Sequence, residues 1–233
     1  QEDVAELFRR DNLTSAPVVD EEERIIGVIT IDDVVDVIDE EASEDFLRLA
    51  GVEADDIYSA LFSTTKSRFR WLFVNLLTAI LASVVISFFD GTIEKVVALA
   101  VLMPIVASMG GNAATQAMTV AVRALATRDI SKSNALRMIW KETLVGTMNG
   151  AAFAIIMGLI AGIWFQNPVL GTVIASAMVL NLIVAGISGA GIPIFLHAKG
   201  SDPAVSSAVF VTTVTDIVGF LAFLGLAALF LVQ

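Results

Sequence analysis

The chain has 233 residues, 56% of them hydrophobic, with a mean hydropathy of +0.81 and a formal net charge of −11. That is too apolar for a soluble domain of this length and fits a multi-pass membrane protein. With no Cys and one His, disulfides, thiolate metal sites and zinc sites built on several imidazoles are excluded.

Charge divides the chain. Residues 1–56 hold 19 acidic and 4 basic side chains, net −15, whereas the rest holds 6 acidic and 10 basic, net +4. An acidic aqueous head therefore precedes a slightly basic membrane body, and neither balance suits nucleic acid. No signal peptide opens the chain; Gln1 begins inside what reads as a soluble fold, as in a piece of a longer protein.

The head reads as a short α/β unit. Ala16-Pro17-Val18-Val19-Asp20 is a brief apolar run into an acidic turn, and Ile25–Thr30 follows as a strand. A helix is expected from about Ile31, with Val34, Val35, Ile38, Ala42, Phe46 and Leu49 at helical spacing and Gly51 ending it. Its other side carries Asp33, Asp36, Glu40, Glu41, Glu44 and Asp45 in steps of three and four, so the carboxylates share a face. Spacing alone leaves two readings open: a solvated acidic face, or a low-affinity surface for hard cations such as Mg²⁺ or Ca²⁺. A second amphipathic segment, residues 55–65, leads to Lys66-Ser67-Arg68-Phe69-Arg70 and Trp71. A basic cluster followed by an aromatic marks the cytoplasmic edge of a span.

Five spans are expected, at about 71–89, 94–126, 139–165, 169–196 and 203–232. The second is expected to break around Pro104 and Met109-Gly110-Gly111-Asn112. There, amide and hydroxyl side chains at membrane depth suggest a pore lining over polar helix glue. The loop 127–137, with Arg128, Lys132 and Arg137, is cytoplasmic by the positive-inside rule; Gln166-Asn167-Pro168 is uncharged and lies outside. The N-terminus is then cytoplasmic and Gln233 outside. In the fourth span, Gly186-Ile187-Ser188-Gly189-Ala190-Gly191-Ile192-Pro193 suits close helix contact with a kink at Pro193.

The fifth span holds one carboxylate, Asp216, near its middle. An ionised acid there costs roughly 2.5–3.5 kcal/mol even on the lenient insertion scale, so it marks a functional site on an ion path. Asp202 and Pro203 read as the N-cap and first turn of that helix. At ~100° per residue Asp202 and Asp216 fall within about 40° of one face, roughly 21 Å apart, and Val205, Val209, Thr212 and Gly219 share it. One carboxylate is a weak site for a divalent ion. Two copies meeting on a symmetry axis would double the charge, which points to a homodimer with the pore between subunits.

With Pro17-Val18-Val19-Asp20, Gly27-Val28-Ile29-Thr30-Ile31-Asp32-Asp33-Val34, Glu41-Ala42-Ser43-Glu44-Asp45, Met109-Gly110-Gly111-Asn112 with Gln116 and Arg123, and Asp202-Pro203-Ala204 with Thr212-Thr213 and Asp216, the chain resembles the MgtE family of magnesium transporters over essentially its full length. The resemblance implies a homodimeric Mg²⁺ channel of the plasma (inner) membrane, not an enzyme, with five transmembrane helices per subunit. Residues 1–50 would be the end of a CBS domain, 51–70 a connecting helix that plugs the pore when Mg²⁺ is plentiful, and 71–233 the membrane domain. It makes Asp216 the central Mg²⁺ ligand, places Asn112, Thr115, Asp202 and Thr212 on the path, and gives Asp33, Asp36, Glu41, Glu44 and Asp45 to Mg²⁺ sensing. Thr30 and Asp33 match the CBS pattern for nucleotide ribose contact, which makes ATP a candidate ligand. Two departures stand out: most of the CBS pair is missing, and Ala208-Val209 stand where Gly-Pro is expected. Alternatives from other classes are a proton-coupled divalent-cation transporter with Asp216 as carrier, a tethered CBS sensor, and an intramembrane aspartyl protease. The last needs a second facing acid, and Glu142 sits only at a span edge.

Overall fold

A computed structural model describes residues 1–52, 60–127, 129–130 and 133–232, apart from the side chains of Glu2, Asp45 and residues 205–207. The chain divides into two compact units, Gln1–Ser67 and Arg68–Gln233.

The first unit starts with helix α1 (Glu2–Asp11), closed by Asn12 in the left-handed conformation at φ 51°. Strands β1 (Ser15–Val19) and β2 (Ile25–Thr30) then pair antiparallel, with Ser15 opposite Thr30 and Val18 opposite Gly27. Asp20 organises the turn between them. Its Oδ1 accepts from the backbone N–H of Glu22 and Arg24, and its Oδ2 from the Arg24 guanidinium at 2.9 Å. Helix α2 (Ile31–Leu49) follows directly. It stops where Gly51, at φ 71°, lets Val52 N–H reach back to the Leu47 carbonyl, the six-to-one closure that glycine permits.

Ala5, Phe8 and Val34 form a small core, with Leu13, Ala16 and Ile29 against it. Of the expected apolar face of α2, only Val34 is fully buried. Val35, Ile38 and Phe46 lie exposed, as do Ile25, Ile26 and Val28 on the sheet. Helical spacing predicts a buried face, but two strands and two helices supply too little surface to cover it.

Among the described residues, five helices are long and apolar enough to span a bilayer: α3 (Leu61–Ser87), α5 (Ala98–Ala126), α6 (Ala135–Trp164), α7 (Pro168–Ala198) and α8 (Pro203–Phe230). A short helix α4 (Asp90–Lys95) precedes α5. The expected break in the second span is not there. Helix α5 runs unbroken through Pro104 and Gly110-Gly111, and the interruption falls earlier, at residues 96–97. In lipid each backbone N–H and C=O must find a partner within the protein, which favours continuing the helix over opening it. Helix α7 likewise continues through Pro193.

Helix α7 is the axis of the bundle and the most buried of the five. It packs on α5, α6 and α8 around Leu102, Val106, Ile174, Met178, Leu182 and Phe223. Small residues set these approaches: a Cβ on Gly186 would lie 3.0 Å from the Cα of Thr143 in α6, and one on Gly189 2.5 Å from the Ala114 carbonyl in α5. Lipid offers no hydrophobic drive between helices, so such close backbone contact carries the association. The turn from α6 to α7 is tight. Asn167 caps α7 by accepting from Leu170 N–H at 3.1 Å, and Pro168 occupies the first turn.

Candidate ion path

Helix α5 has two chemically distinct faces. Leu99, Leu102, Val106, Gly110, Ala114, Ala117 and Ala121 are buried against the bundle. On the opposite side Ser108, Asn112, Thr115, Gln116 and Thr119 are exposed, at steps that keep them within roughly 100° of arc. Thr115 and Thr119 donate to the carbonyls one turn back, Gly111 and Thr115, at 2.8 Å each. Among the described residues Asn112 makes only a long 3.5 Å contact, with Ser108 Oγ, which leaves its amide available. Acyl chains offer such a stripe nothing; a water-filled path or a second protein surface does.

Helix α8 begins as the sequence suggests. Asp202 Oδ1 accepts from Ala204 N–H at 2.8 Å, with Pro203 in the first turn. The helix is regular through Ala208-Val209, where Thr212 and Thr213 hydroxyls donate to these carbonyls. Thr212 and Asp216 are half-buried, and the Asp216 carboxylate has no hydrogen bond or ion pair among the described residues. The stripe shared with Asp202 is not uniformly open, however. Val209 is 4% exposed and Gly219 is buried, so its two ends differ from its middle. Helical arithmetic does not register that α8 packs on α5 and α7, with Asn181 of α7 against Gly219. Val205 lies outside the described side chains.

The residue that the sequence reading missed is Asn181 of α7. It is fully buried, and its Nδ2 donates to the Val106 carbonyl of α5 at 2.9 Å. It occupies the space that side chains on Gly110 and Gly219 would need: a Cβ on either would lie 2.8 or 2.7 Å from its carboxamide. Short connections reverse the chain after α5, α6 and α7, so α5 and α8 run antiparallel. Asn112 is two residues beyond Gly110 and Asp216 three before Gly219. At 1.5 Å per residue they sit roughly 3 and 4.5 Å to the same side of Asn181. The structure therefore brings Asn112 and Asp216 to one depth on two packed helices, with Thr115 and Thr212 further along and Asp202 at the end of α8.

The acidic face of α2 is another matter. Thr30 donates through its N–H and its hydroxyl to Asp33 Oδ2, both at 2.9 Å, which pulls the Asp33 carboxyl below its ordinary range, chiefly through the backbone N–H. Glu44 is paired with Arg48, Asp36 is exposed and Glu41 half-buried. Asp45 lies outside the described side chains, as do Arg128 and Lys132 of the loop between α5 and α6 and residues 53–59 of the connecting segment. Among the described residues no three carboxylates converge to hold an ion.

Two known families match separate parts of the chain. A family described as "MgtE: Divalent cation transporter" matches residues 103–226, from α5 to α8, and the CBS domain matches residues 1–40. The chain is 35% identical to "Magnesium transporter MgtE" of Bacillus subtilis and to that of Enterococcus faecalis. It is 37% identical to the protein of the same name from Thermus thermophilus. Each match covers 99% of this chain and 51–52% of the relative, so the chain spans about half the length of the curated relatives it matches.

Proposed function

Because this chain belongs to the MgtE family of divalent cation transporters, we propose that it conducts Mg²⁺ down its electrochemical gradient through a pore between two copies of the membrane unit. The observation that carries the reading is the juxtaposition of a half-buried Asp216 with the exposed polar stripe of α5 at the same depth. Mg²⁺ gives up water reluctantly and is commonly held by one or two carboxylates with waters retained. Asp216 from each copy supplies the charge, and Asn112, Thr115 and Thr212 supply acceptors for the retained waters. Asp202 draws cations to the mouth. A sparse site of this kind binds well enough to admit the ion and weakly enough to release it.

In this reading the N-terminus is cytoplasmic, the membrane is the plasma (inner) membrane, and the connecting segment from residue 51 to 70 closes the pore. Asp33, Asp36, Glu41, Glu44 and Asp45 would act with the rest of the cytoplasmic part, because cations screening their mutual repulsion favour a compact, closed arrangement. Thr30 and Asp33 are the positions at which ATP binding is to be tested. The names of the relatives are those of transporters, which fits a protein that moves ions and catalyses no reaction. The test is flux: the full-length protein in liposomes should pass Mg²⁺ with no proton gradient imposed, and a strict requirement for that gradient would favour Asp216 as a proton carrier.

A further inference from the structure

Asn181 stands in an unusual position for a polar side chain. It is fully buried in the most buried helix of the bundle. Its Nδ2 is committed to a carbonyl of α5, and its Oδ1 has no donor among the described residues. A buried acceptor left unmatched is costly where water is scarce, so an apolar residue of similar size would serve packing better. The two glycines opposite it deepen the point. Gly110 belongs to the helix that carries Asn112, Gly219 to the helix that carries Asp216, and both would collide with the carboxamide if they bore even a methyl group. One side chain thus gauges the separation of two helices at the level of their polar groups.

We propose that Asn181 is a positioning residue for the ion path, fixing the spacing and depth of Asn112 on α5 relative to Asp216 on α8. The inference rests on the Mg²⁺-path reading above. The carboxamide does not touch the ion. It is a flat, rigid spacer tied to α5 by a hydrogen bond and seated against α8 by shape. Ion sites that retain water depend on second-layer groups of this sort to hold the primary ligands in register, and removing one commonly weakens metal binding about tenfold or more.

The experiment measures Mg²⁺ entry into liposomes holding the full-length protein, over a series of Mg²⁺ concentrations, for wild type, Asn181→Leu, Gly219→Ala and Asp216→Asn. Leucine keeps the volume and removes the hydrogen bond; alanine at 219 pushes from the α8 side and remains informative should the leucine variant fail to assemble. Each should raise the half-saturating Mg²⁺ concentration about tenfold, with an altered ratio of Mg²⁺ to Ca²⁺ entry. Gly110→Ala should show the same shift and be rescued by Asn181→Ser, which makes room while keeping a donor. A merely structural role predicts maximal flux falling with the amount of folded protein at unchanged half-saturation, and that result overturns the proposal. If Asp216→Asn is inactive while Asn181→Leu keeps the wild-type half-saturation, the positioning role alone fails. If Asp216→Asn conducts fully, the ion-path reading fails first.

Discussion

Asp202 Oδ1 holds the Ala204 N–H at 2.8 Å, so the carboxylate at the end of the last span is also the cap of the helix that carries Asp216. The two roles separate by substitution. Asparagine caps as well as aspartate but carries no charge. Asp202→Asn should therefore assemble and melt like wild type while passing less Mg²⁺ at low salt. Asp202→Ala should lose stability as well, by about 0.5–2 kcal/mol. Flux and thermal unfolding of the two variants side by side make the check.

Glycines of α7 differ in what faces them. A Cβ on Gly186 would press on the backbone of Glu142 and Thr143, which cannot move aside, whereas one on Gly191 meets nothing within 4 Å. Gly186→Ala should cost about 1–3 kcal/mol by overpacking, and Gly191→Ala should stay within about 0.5 kcal/mol of wild type. Thermal unfolding in detergent distinguishes them.

The cap of α2 makes a prediction in pH. Thr30 N–H and Oγ1 hold the Asp33 carboxyl below its ordinary range. A depressed carboxylate contributes stability above its unfolded pKa and loses that contribution as pH falls through the folded one. Asp33→Ala should therefore lower the melting temperature of the N-terminal unit at pH 7. The difference from wild type should fade as pH drops below about 4, the ordinary carboxylate range. A gap that persists unchanged at pH 2 would show that packing, not the charged cap, is the cause.

The membrane helices were legible because their signals are local and strong. Apolar length gave five spans, Asp202-Pro203 gave the start of α8, and charge segregation separated the head from the body. Two features were not. The Pro104 and Gly110-Gly111 signals suggested a broken helix, but Gly110 is small because α7 brings Asn181 against it, not because the chain bends there. Asn181 itself sits in an ordinary apolar run, Val179-Leu180-Asn181-Leu182, and only the three-helix junction gives it a role. In the head, alternation and helical spacing found β2 and α2, while the acidic turn concealed a hairpin built on the two oxygens of Asp20. Packing between elements is what one-dimensional spacing lacks, and it is what brings α5 and α8 together beside Asn181.

Asp216 is the carboxylate through which Mg²⁺ is proposed to pass. The decisive measurement is growth of a Mg²⁺-auxotrophic cell expressing the full-length protein with Asp216→Asn or Asp216→Ala, with dimer assembly followed by cross-linking. Both variants should assemble normally and fail to rescue growth at limiting Mg²⁺; full Mg²⁺ uptake by either assembled variant would rule out Asp216 as the conducting carboxylate.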